Sequence, residues 1–123
     1  MTWVAIALGG AIGSVARHAA NHLLQSGTRF PFAITFVDIS GCFVIGLLAG
    51  LLASDRIAMS QHWREFVFVG LLGGYTTFST FGLDTFVVVR SGATGFAALN
   101  VGAQVVGGLT AVWVGYQFGV AKV

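Results

Sequence analysis

Residues 70–81 contain the groups whose types and spacing are best suited to binding an ion. The adjacent glycines Gly73 and Gly74 are followed by four Ser or Thr residues within five positions. Glycine disfavours a helix, and Ser and Thr hydroxyls compete with the helical hydrogen bonds of the backbone. We therefore predict that a helix is interrupted here. Inside a membrane, the carbonyl groups freed by such a break can bind a cation.

Phe78 and Phe81 lie at the end of this run and offer a site for an anion. Residues three apart project from the same face of a helix, and the edge of an aromatic ring is electropositive. Two rings presented edge-on could therefore hold an anion in apolar surroundings. The alternative is packing in the core or against lipid, since the chain contains 11 phenylalanines. The neighbouring Gly and Thr residues favour the anion site.

Polar side chains also occur at three other places within apolar segments. Asp38 is the most costly of them, because an ionised carboxylate can only accept hydrogen bonds. Asn100 and Gln104 share one helical face, where they could either line a pore or form hydrogen bonds between helices. Arg17 lies about two turns before the predicted end of the first helix and needs a partner or a water-filled mouth. A basic vestibule there would concentrate anions.

These residues belong to four segments that are long enough to cross a membrane as helices. The chain has 123 residues, of which 56% are hydrophobic and only 8% are charged, whereas soluble domains contain about 25% charged residues. A bilayer core requires about 20 helical residues. The segments that meet this length are 3–24, 32–53, 66–89 and 94–119. We predict an all-α membrane protein with one four-helix domain spanning residues 1–123.

The basic residues give little indication of how these helices are oriented. The predicted side of the N-terminus carries three of them: Arg56, Arg64 and Lys122. The other side carries Arg29, Arg90 and, if it lies near that end, Arg17. The chain could therefore insert both ways and pair as an antiparallel dimer, or Arg17 or the second loop could select one orientation. Each segment also contains a G-x-x-x-G pair, which permits close helix packing. Because so small a bundle cannot enclose a pore alone, we expect an oligomer.

Other functional classes are not favoured. The six basic residues are scattered rather than clustered, which argues against a nucleic-acid partner. Cys42 is the only cysteine, so we expect neither a disulfide framework nor a cysteine metal site. The chain has no nucleophile elbow and no metal-ligand spacing, so we do not expect an enzyme.

The run Gly-Gly-x-Thr-Thr-Phe-Ser-Thr-Phe at residues 73–81 resembles the Fluc/CrcB family of small dual-topology fluoride channels. The resemblance extends over nearly the whole chain and includes glycines of all four segments together with Arg17 and Thr35. It implies a passive channel that exports fluoride across the cytoplasmic membrane of a bacterium. It also implies an antiparallel homodimer with two pores, each lined by both subunits, and no organic cofactor.

The same resemblance implies a role for particular residues. Phe78 and Phe81 would contact fluoride, and Arg17 would lie at the mouth of a vestibule. The side chains that would line a polar track are Thr35, Ser79 and Thr80. Backbone carbonyls of Gly73 and Thr76 from both copies would hold a structural sodium ion at the centre of the dimer.

The sequence departs from the family pattern at three of these polar positions. Asp38 replaces an asparagine, and Asn100 and Gln104 stand where a tyrosine and a serine are common. An asparagine amide can donate to fluoride, whereas an ionised aspartate repels it. Either Asp38 is protonated, which is our hypothesis, or it pairs with a base, or the protein prefers another ion. The alternatives are a cation channel and one subunit of a heterodimeric channel.

Overall fold

The computed structural model describes residues 1–25, 27 and 30–121, and most of these residues are helical. The α-helices in chain order are α1 (Thr2–Leu24), α2 (Phe32–Ala53), α3 (Gln61–Arg64), α4 (Gly73–Tyr75), α5 (Phe78–Arg90), α6 (Thr94–Gly102) and α7 (Gly108–Val120). A first π-helical segment, Glu65–Leu72, joins α3 to α4, and a second, Ala103–Gly107, joins α6 to α7. The predicted all-helical architecture is therefore confirmed for the described residues.

Three helical stretches are long and apolar enough to cross a membrane: Phe32–Ala53, Gln61–Arg90 and Thr94–Val120. The other predicted span is present as α1, whose 23 residues extend about 34 Å at 1.5 Å per residue. Arg17, His18 and His22 make the end of α1 polar, so its membrane assignment stays a prediction. The outer surface is apolar, with Trp3 84% and Trp113 63% exposed, as expected for a bundle covered by lipid.

The third span contains the predicted interruption. Thr76 and Thr77 are extended, with φ/ψ of −114°/137° and −147°/136° respectively. The span also begins earlier than predicted, at Gln61, because Ser60 caps it and accepts a hydrogen bond from the Trp63 amide at 3.4 Å. This first turn is polar, so the prediction, which followed the run of apolar residues, placed the turn in the preceding loop.

The G-x-x-x-G glycines allow the helices to pack backbone against backbone in two pairs. A Cβ added at any of these glycines would lie against a carbonyl oxygen of the facing helix. The first pair joins α1 to the first π-helical segment and α4, and the second joins α2 to α7. The glycines are Gly9, Gly13, Gly46, Gly50, Gly70, Gly74, Gly115 and Gly119. The prediction of close packing in every segment is confirmed.

Some residues used in the sequence analysis lie outside the described part of the chain. They are Arg29 and Lys122. The comparison of basic residues on the two sides of the membrane included Arg29 and Lys122, so the predicted absence of an orientation bias stays a prediction.

Candidate functional site

A cavity of about 190 Å³ lies beside the break in the third span. Four elements contribute to its wall: α2, the two extended residues of the break, the first turn of α5 and the second π-helical segment. The residues that line it are Asp38, Cys42, Thr76, Thr77, Phe78, Phe81, Gln104 and Val105. The cavity therefore brings together four of the predicted site side chains, from α2, α5 and the second π-helical segment.

The two phenylalanines predicted to bind an anion lie side by side on this wall. Their ring centroids are 5.4 Å apart, with the ring planes tilted by 53°. Phe78 is 82% exposed in the single chain, whereas Phe81 is half-buried. The ring of Phe78 is therefore accessible from the surface of the single chain.

The N-terminus of α5 also lies at the cavity, since Thr77 and Phe78 both line it. Thr77 is the N-cap residue, and its Oγ1 accepts a hydrogen bond from the Thr80 amide at 3.4 Å. The first amides of a helix have no acceptor within the helix, and the helix dipole makes this end partially positive. The cavity therefore has a positive backbone end next to the aromatic rings.

Gly41 explains how the broken backbone comes so close to α2. A Cβ at this position would overlap the side chain of Thr76. One residue earlier, the Ser40 Oγ is 3.0 Å from the Tyr75 hydroxyl. Absence of a side chain at Gly41 and the hydrogen bond at Ser40 thus position the break against the helix that contains Asp38.

Asp38 is half-buried on the cavity wall. Its Oδ1 is buried and has no hydrogen-bond partner among the described residues. The Thr77 backbone and the charge of Arg17 are both near enough to interact electrostatically with the carboxylate. Within the described residues, Asp38 forms no contact ion pair, and its pairing with a base stays one of the predicted alternatives.

Arg17 and Thr80, both predicted site residues, are brought into contact. The Arg17 Nη1 donates to the Thr80 Oγ1 at 3.3 Å. This bond joins α1 to the first turn of α5. The guanidinium group is therefore held near the cavity without lining it.

Thr35 and Asn100 lie in the interior, where Asn100 is 0% exposed and Thr35 is 9% exposed. The Thr35 Oγ1 donates to the Asn100 Oδ1 at 2.8 Å, and the Asn100 Nδ2 donates to the Thr85 Oγ1 at 2.8 Å. The Gln104 Nε2 donates to the same Asn100 Oδ1 at 2.9 Å. Asn100 thus forms the interhelical hydrogen bonds that were one of its two predicted roles, while Gln104 reaches the cavity.

Two further positions show what sequence reasoning could and could not locate. Ser79, predicted to line the polar track, is exposed and lies 2.8 Å from the Thr77 Oγ1 instead of on the cavity wall. Thr85 was missed by the sequence analysis although it contacts Asn100. A single threonine in an apolar helix gave no signal, because its partner lies on another helix.

The break leaves the carbonyls of Gly73 and Thr76 without the partners of a continuous helix. The Thr76 amide donates to the Leu72 carbonyl at 2.9 Å, and the backbone bonds resume with Phe81 to Thr77 at 3.5 Å. Between them, no described amide donates to the carbonyl of Gly73 or Thr76. Such carbonyls suit a cation like Na⁺. The described residues contain no cluster of His, Cys, Asp and Glu suited to a metal ion.

Comparison with known proteins places this geometry in a family context. The family model described as "CrcB-like protein, Camphor Resistance (CrcB)" matches residues 4–116. A protein of Methylobacillus flagellatus named "Fluoride-specific ion channel FluC" is 46% identical over 91% of this chain and 89% of its own length. A protein of the same name from Solibacter usitatus is 44% identical over 94% of this chain and 95% of its own length. Another, from Acidobacterium capsulatum, is 37% identical over 97% of this chain and 96% of its own length. The similarity thus extends over all the long helical stretches.

Proposed function

The chain belongs to the CrcB-like protein family, a family of ion channels and not of enzymes, and we propose that it conducts fluoride passively across the cytoplasmic membrane. As a multi-pass membrane protein, it would allow accumulated fluoride to leave the cell. Fluoride is small and strongly hydrated, so a pore must replace its water with hydrogen-bond donors and other positive groups. The chain has to provide these groups at membrane depth.

One observation supports this proposal above the others: Phe78, Phe81 and Gln104 meet the N-terminus of α5 around one cavity. Ring edges, an amide N–H group and the positive helix end all favour an anion. All of them are neutral groups, so each attracts fluoride without holding it as strongly as a full cation would. Rapid release is what conduction requires.

The remaining predicted residues would act before and after this cavity. Arg17 would raise the local concentration of fluoride at the vestibule, and its bond to Thr80 would connect the vestibule to the first turn of α5. Ser79 is exposed and free to face a second subunit. Thr35 would contribute to the track through the hydrogen bonds that it makes with Asn100.

We propose that the working unit is an antiparallel homodimer with two pores. The large exposed fraction of Phe78 supports a pore that is completed by another subunit. A shallow apolar groove of about 600 Å³ along α2 and α7 offers the second copy a surface to pack on. Its lining residues are Phe32, Thr35, Phe36, Ile39, Ser40, Phe43, Val44 and Ala111.

A structural sodium ion is proposed at the carbonyls of Gly73 and Thr76. Its positive charge would stabilise the carbonyl dipoles that the break leaves unpaired. Two carbonyls from one chain are too few for a complete site, so the second copy would provide the others. This requirement agrees with the proposed dimer.

Asp38 favours a second candidate function, a cation channel. Its Oδ1 is buried beside the cavity and has no partner in the described part of the chain, and an ionised carboxylate there would attract Na⁺ and repel fluoride. Protonation of Asp38 removes this conflict, because a neutral carboxyl can donate one hydrogen bond. The reversal potential under a NaF gradient distinguishes the two functions, since its sign shows whether fluoride or sodium carries the current.

Fluoride efflux from liposomes that contain only this polypeptide tests the proposal. We expect native protein to release fluoride, and the variants Phe78→Ile and Phe81→Ile to release it at least about tenfold more slowly, as expected from the loss of one or two aromatic contacts. Phe86→Ile is the matched control, because Phe86 lies on the same helix, is 60% exposed and does not line the cavity. Well-folded protein without efflux would contradict a homodimeric channel and favour a heterodimer subunit.

A further inference from the structure

Gln104 is held at the cavity wall by a chain of hydrogen bonds that begins on α5. The Thr85 Oγ1 donates its hydrogen to the Phe81 carbonyl at 2.8 Å. The hydroxyl has only one hydrogen, so toward Asn100 it can act only as an acceptor. The Asn100 Nδ2 lies 2.8 Å from it and supplies the donor.

This first bond determines the direction of the next one. With its amide nitrogen turned to Thr85, Asn100 presents its Oδ1 to Gln104. An amide oxygen can only accept a hydrogen bond, so Gln104 must turn its nitrogen toward it. The Gln104 Nε2 lies 2.9 Å from the Asn100 Oδ1, in agreement with this orientation.

The burial of Asn100 makes the arrangement difficult to reverse. Asn100 is 0% exposed, so no bulk water reaches it to replace a lost partner. The Thr35 Oγ1 lies 2.8 Å from the same Oδ1 and 2.9 Å from the Pro31 carbonyl, and its one hydrogen can be donated to either oxygen, so Thr35 adapts to the orientation of Asn100 and does not set it. A reversed Asn100 could donate to Thr35, which would then donate to Pro31, but it would turn its oxygen toward Thr85, which would have to give up its bond to the Phe81 carbonyl. The bond from Thr85 to Phe81 is therefore the contact that opposes reversal.

Gln104 itself keeps groups that a permeating ion can use. One N–H group binds Asn100, while the second N–H group and Oε1 have no partner in the part of the chain that the structure describes. Since Gln104 lines the cavity, these groups are available to an ion there. The orientation of this amide therefore decides where the cavity offers a donor and where it offers an acceptor.

We propose that Thr85, acting through Asn100, is a positioning residue that fixes the amide orientation of Gln104 and thereby the selectivity of the cavity. Thr85 does not line the cavity, and its effect passes through two side chains. The effect on selectivity rests on the proposed channel function. The positioning effect does not depend on that function and can be measured without ion flow.

NMR of side-chain amides tests the positioning directly. The chain has two asparagines, Asn21 and Asn100, and four glutamines. Selective ¹⁵N labelling of these side-chain amides therefore gives few signals. The signal that is lost in Gln104→Met is assigned to Gln104. We expect the Gln104 signal to shift, and the Asn100 signal to lose its protection from exchange, in both Thr85→Val and Thr85→Ala. Thr85→Ser should restore both signals. A Gln104 signal that keeps its native position in the hydroxyl-free variants would overturn the proposal.

Fluoride efflux then tests the consequence with a double-mutant cycle. We expect Thr85→Val to lower fluoride efflux relative to chloride efflux by about fivefold, the effect of one hydrogen bond, and Thr85→Ser to keep the native ratio. In the Gln104→Met background, Thr85→Val should have no further effect, because Thr85 acts through Gln104. Independent effects of the two substitutions would overturn the proposal. The matched control is Thr110→Val, at an exposed threonine of α7 outside the cavity wall.

The two measurements separate the two proposals. If native protein releases no fluoride, the proposed function fails, and the NMR signals still decide whether Thr85 orients Gln104. If native protein releases fluoride and the Gln104 signal does not shift when the Thr85 hydroxyl is removed, the channel function stands and the positioning role is wrong.

Discussion

The Arg17 Nη1 donates to the Thr80 Oγ1 at 3.3 Å, although the two residues are 63 positions apart in the chain. The bond holds a permanent positive charge beside the first turn of α5, where Phe78 and Phe81 line the cavity. Thr80 is therefore both a candidate for the polar track and the anchor of the vestibule charge.

Removing this charge should slow fluoride entry more than it changes selectivity. We expect Arg17→Met to lower fluoride efflux about tenfold at low ionic strength, because the local concentration of the anion falls. Salt should reduce the difference from native protein, since it screens the attraction. Arg17→Lys keeps the charge and should retain most of the efflux. Equal losses for the Met and Lys variants would show that the hydrogen bond, and not the charge, is important.

Asp38 predicts a dependence of fluoride efflux on pH. At the acidic end, a protonated carboxyl can donate to fluoride; as pH rises, the ionised form repels it, so efflux by the native protein should fall. Asp38→Asn should remove this dependence and leave efflux close to its highest native value. The measurement compares both proteins from mildly acidic to mildly alkaline pH, after subtraction of efflux from empty liposomes at each pH. Native efflux that does not change with pH would contradict a titrating role.

Gly41 should be required for conduction because it lets the break approach α2. Gly41→Ala would displace the Thr76 side chain and shift the cavity wall, so we expect fluoride efflux to fall by at least about tenfold, as for other displacements of about 1 Å at a site. Gly82→Ala is the control, since an added methyl group there meets no atom within 4 Å. Native efflux in Gly41→Ala would show that the approach of Thr76 is not needed.

Close packing of α2 and α7 should dominate the stability of the bundle. Gly115→Ala puts a methyl group against the Phe43 carbonyl, and overpacking of this kind costs about 1–3 kcal/mol. Gly102→Ala, where the added methyl group meets nothing within 4 Å, should instead stabilise α6 by about 0.5–1 kcal/mol. Thermal unfolding in detergent, followed by circular dichroism, measures both changes. Equal melting temperatures for the two variants would contradict this account of the helix contact.

Sodium should stabilise the folded protein if the carbonyls of Gly73 and Thr76 bind it. A ligand present at 100 times its dissociation constant adds about 2.7 kcal/mol to the free energy of unfolding. We expect the melting temperature to rise when Na⁺ replaces a large organic cation at constant ionic strength. The same melting temperature in both salts would argue against a sodium site.

The main features of the fold were predictable because local chemistry determines them. Gly73 and Gly74 next to a group of hydroxyl residues predicted the break, which the structure places at Thr76 and Thr77. The glycine pairs predicted close packing in every segment, but not which helices pack against each other. These features follow from backbone preferences and side-chain size, which act within a few residues.

The features that were missed depend on helix geometry and on contacts between distant residues. Asn100 and Gln104 are four positions apart and share a helical face as predicted, since their side chains form a hydrogen bond. The sequence did not predict the second π-helical segment, which begins between them at Ala103, nor that Asn100 is buried while Gln104 lines the cavity. An apolar sequence pattern does not distinguish an α-helix from a π-helix. The group that Ser79 would meet in the proposed dimer is likewise not specified by residues near it in the chain.

The two extended residues Thr76 and Thr77 also have a consequence for how the protein responds to salt. An uninterrupted span would have both of its oppositely polarised ends in water, where dissolved ions neutralise them. Because the third span stops and restarts at the break, one end of each polarity would lie at membrane depth, away from bulk water. Their attraction for ions should therefore persist in concentrated electrolyte, and a protein with few charged residues can remain attractive to fluoride even in a saline medium.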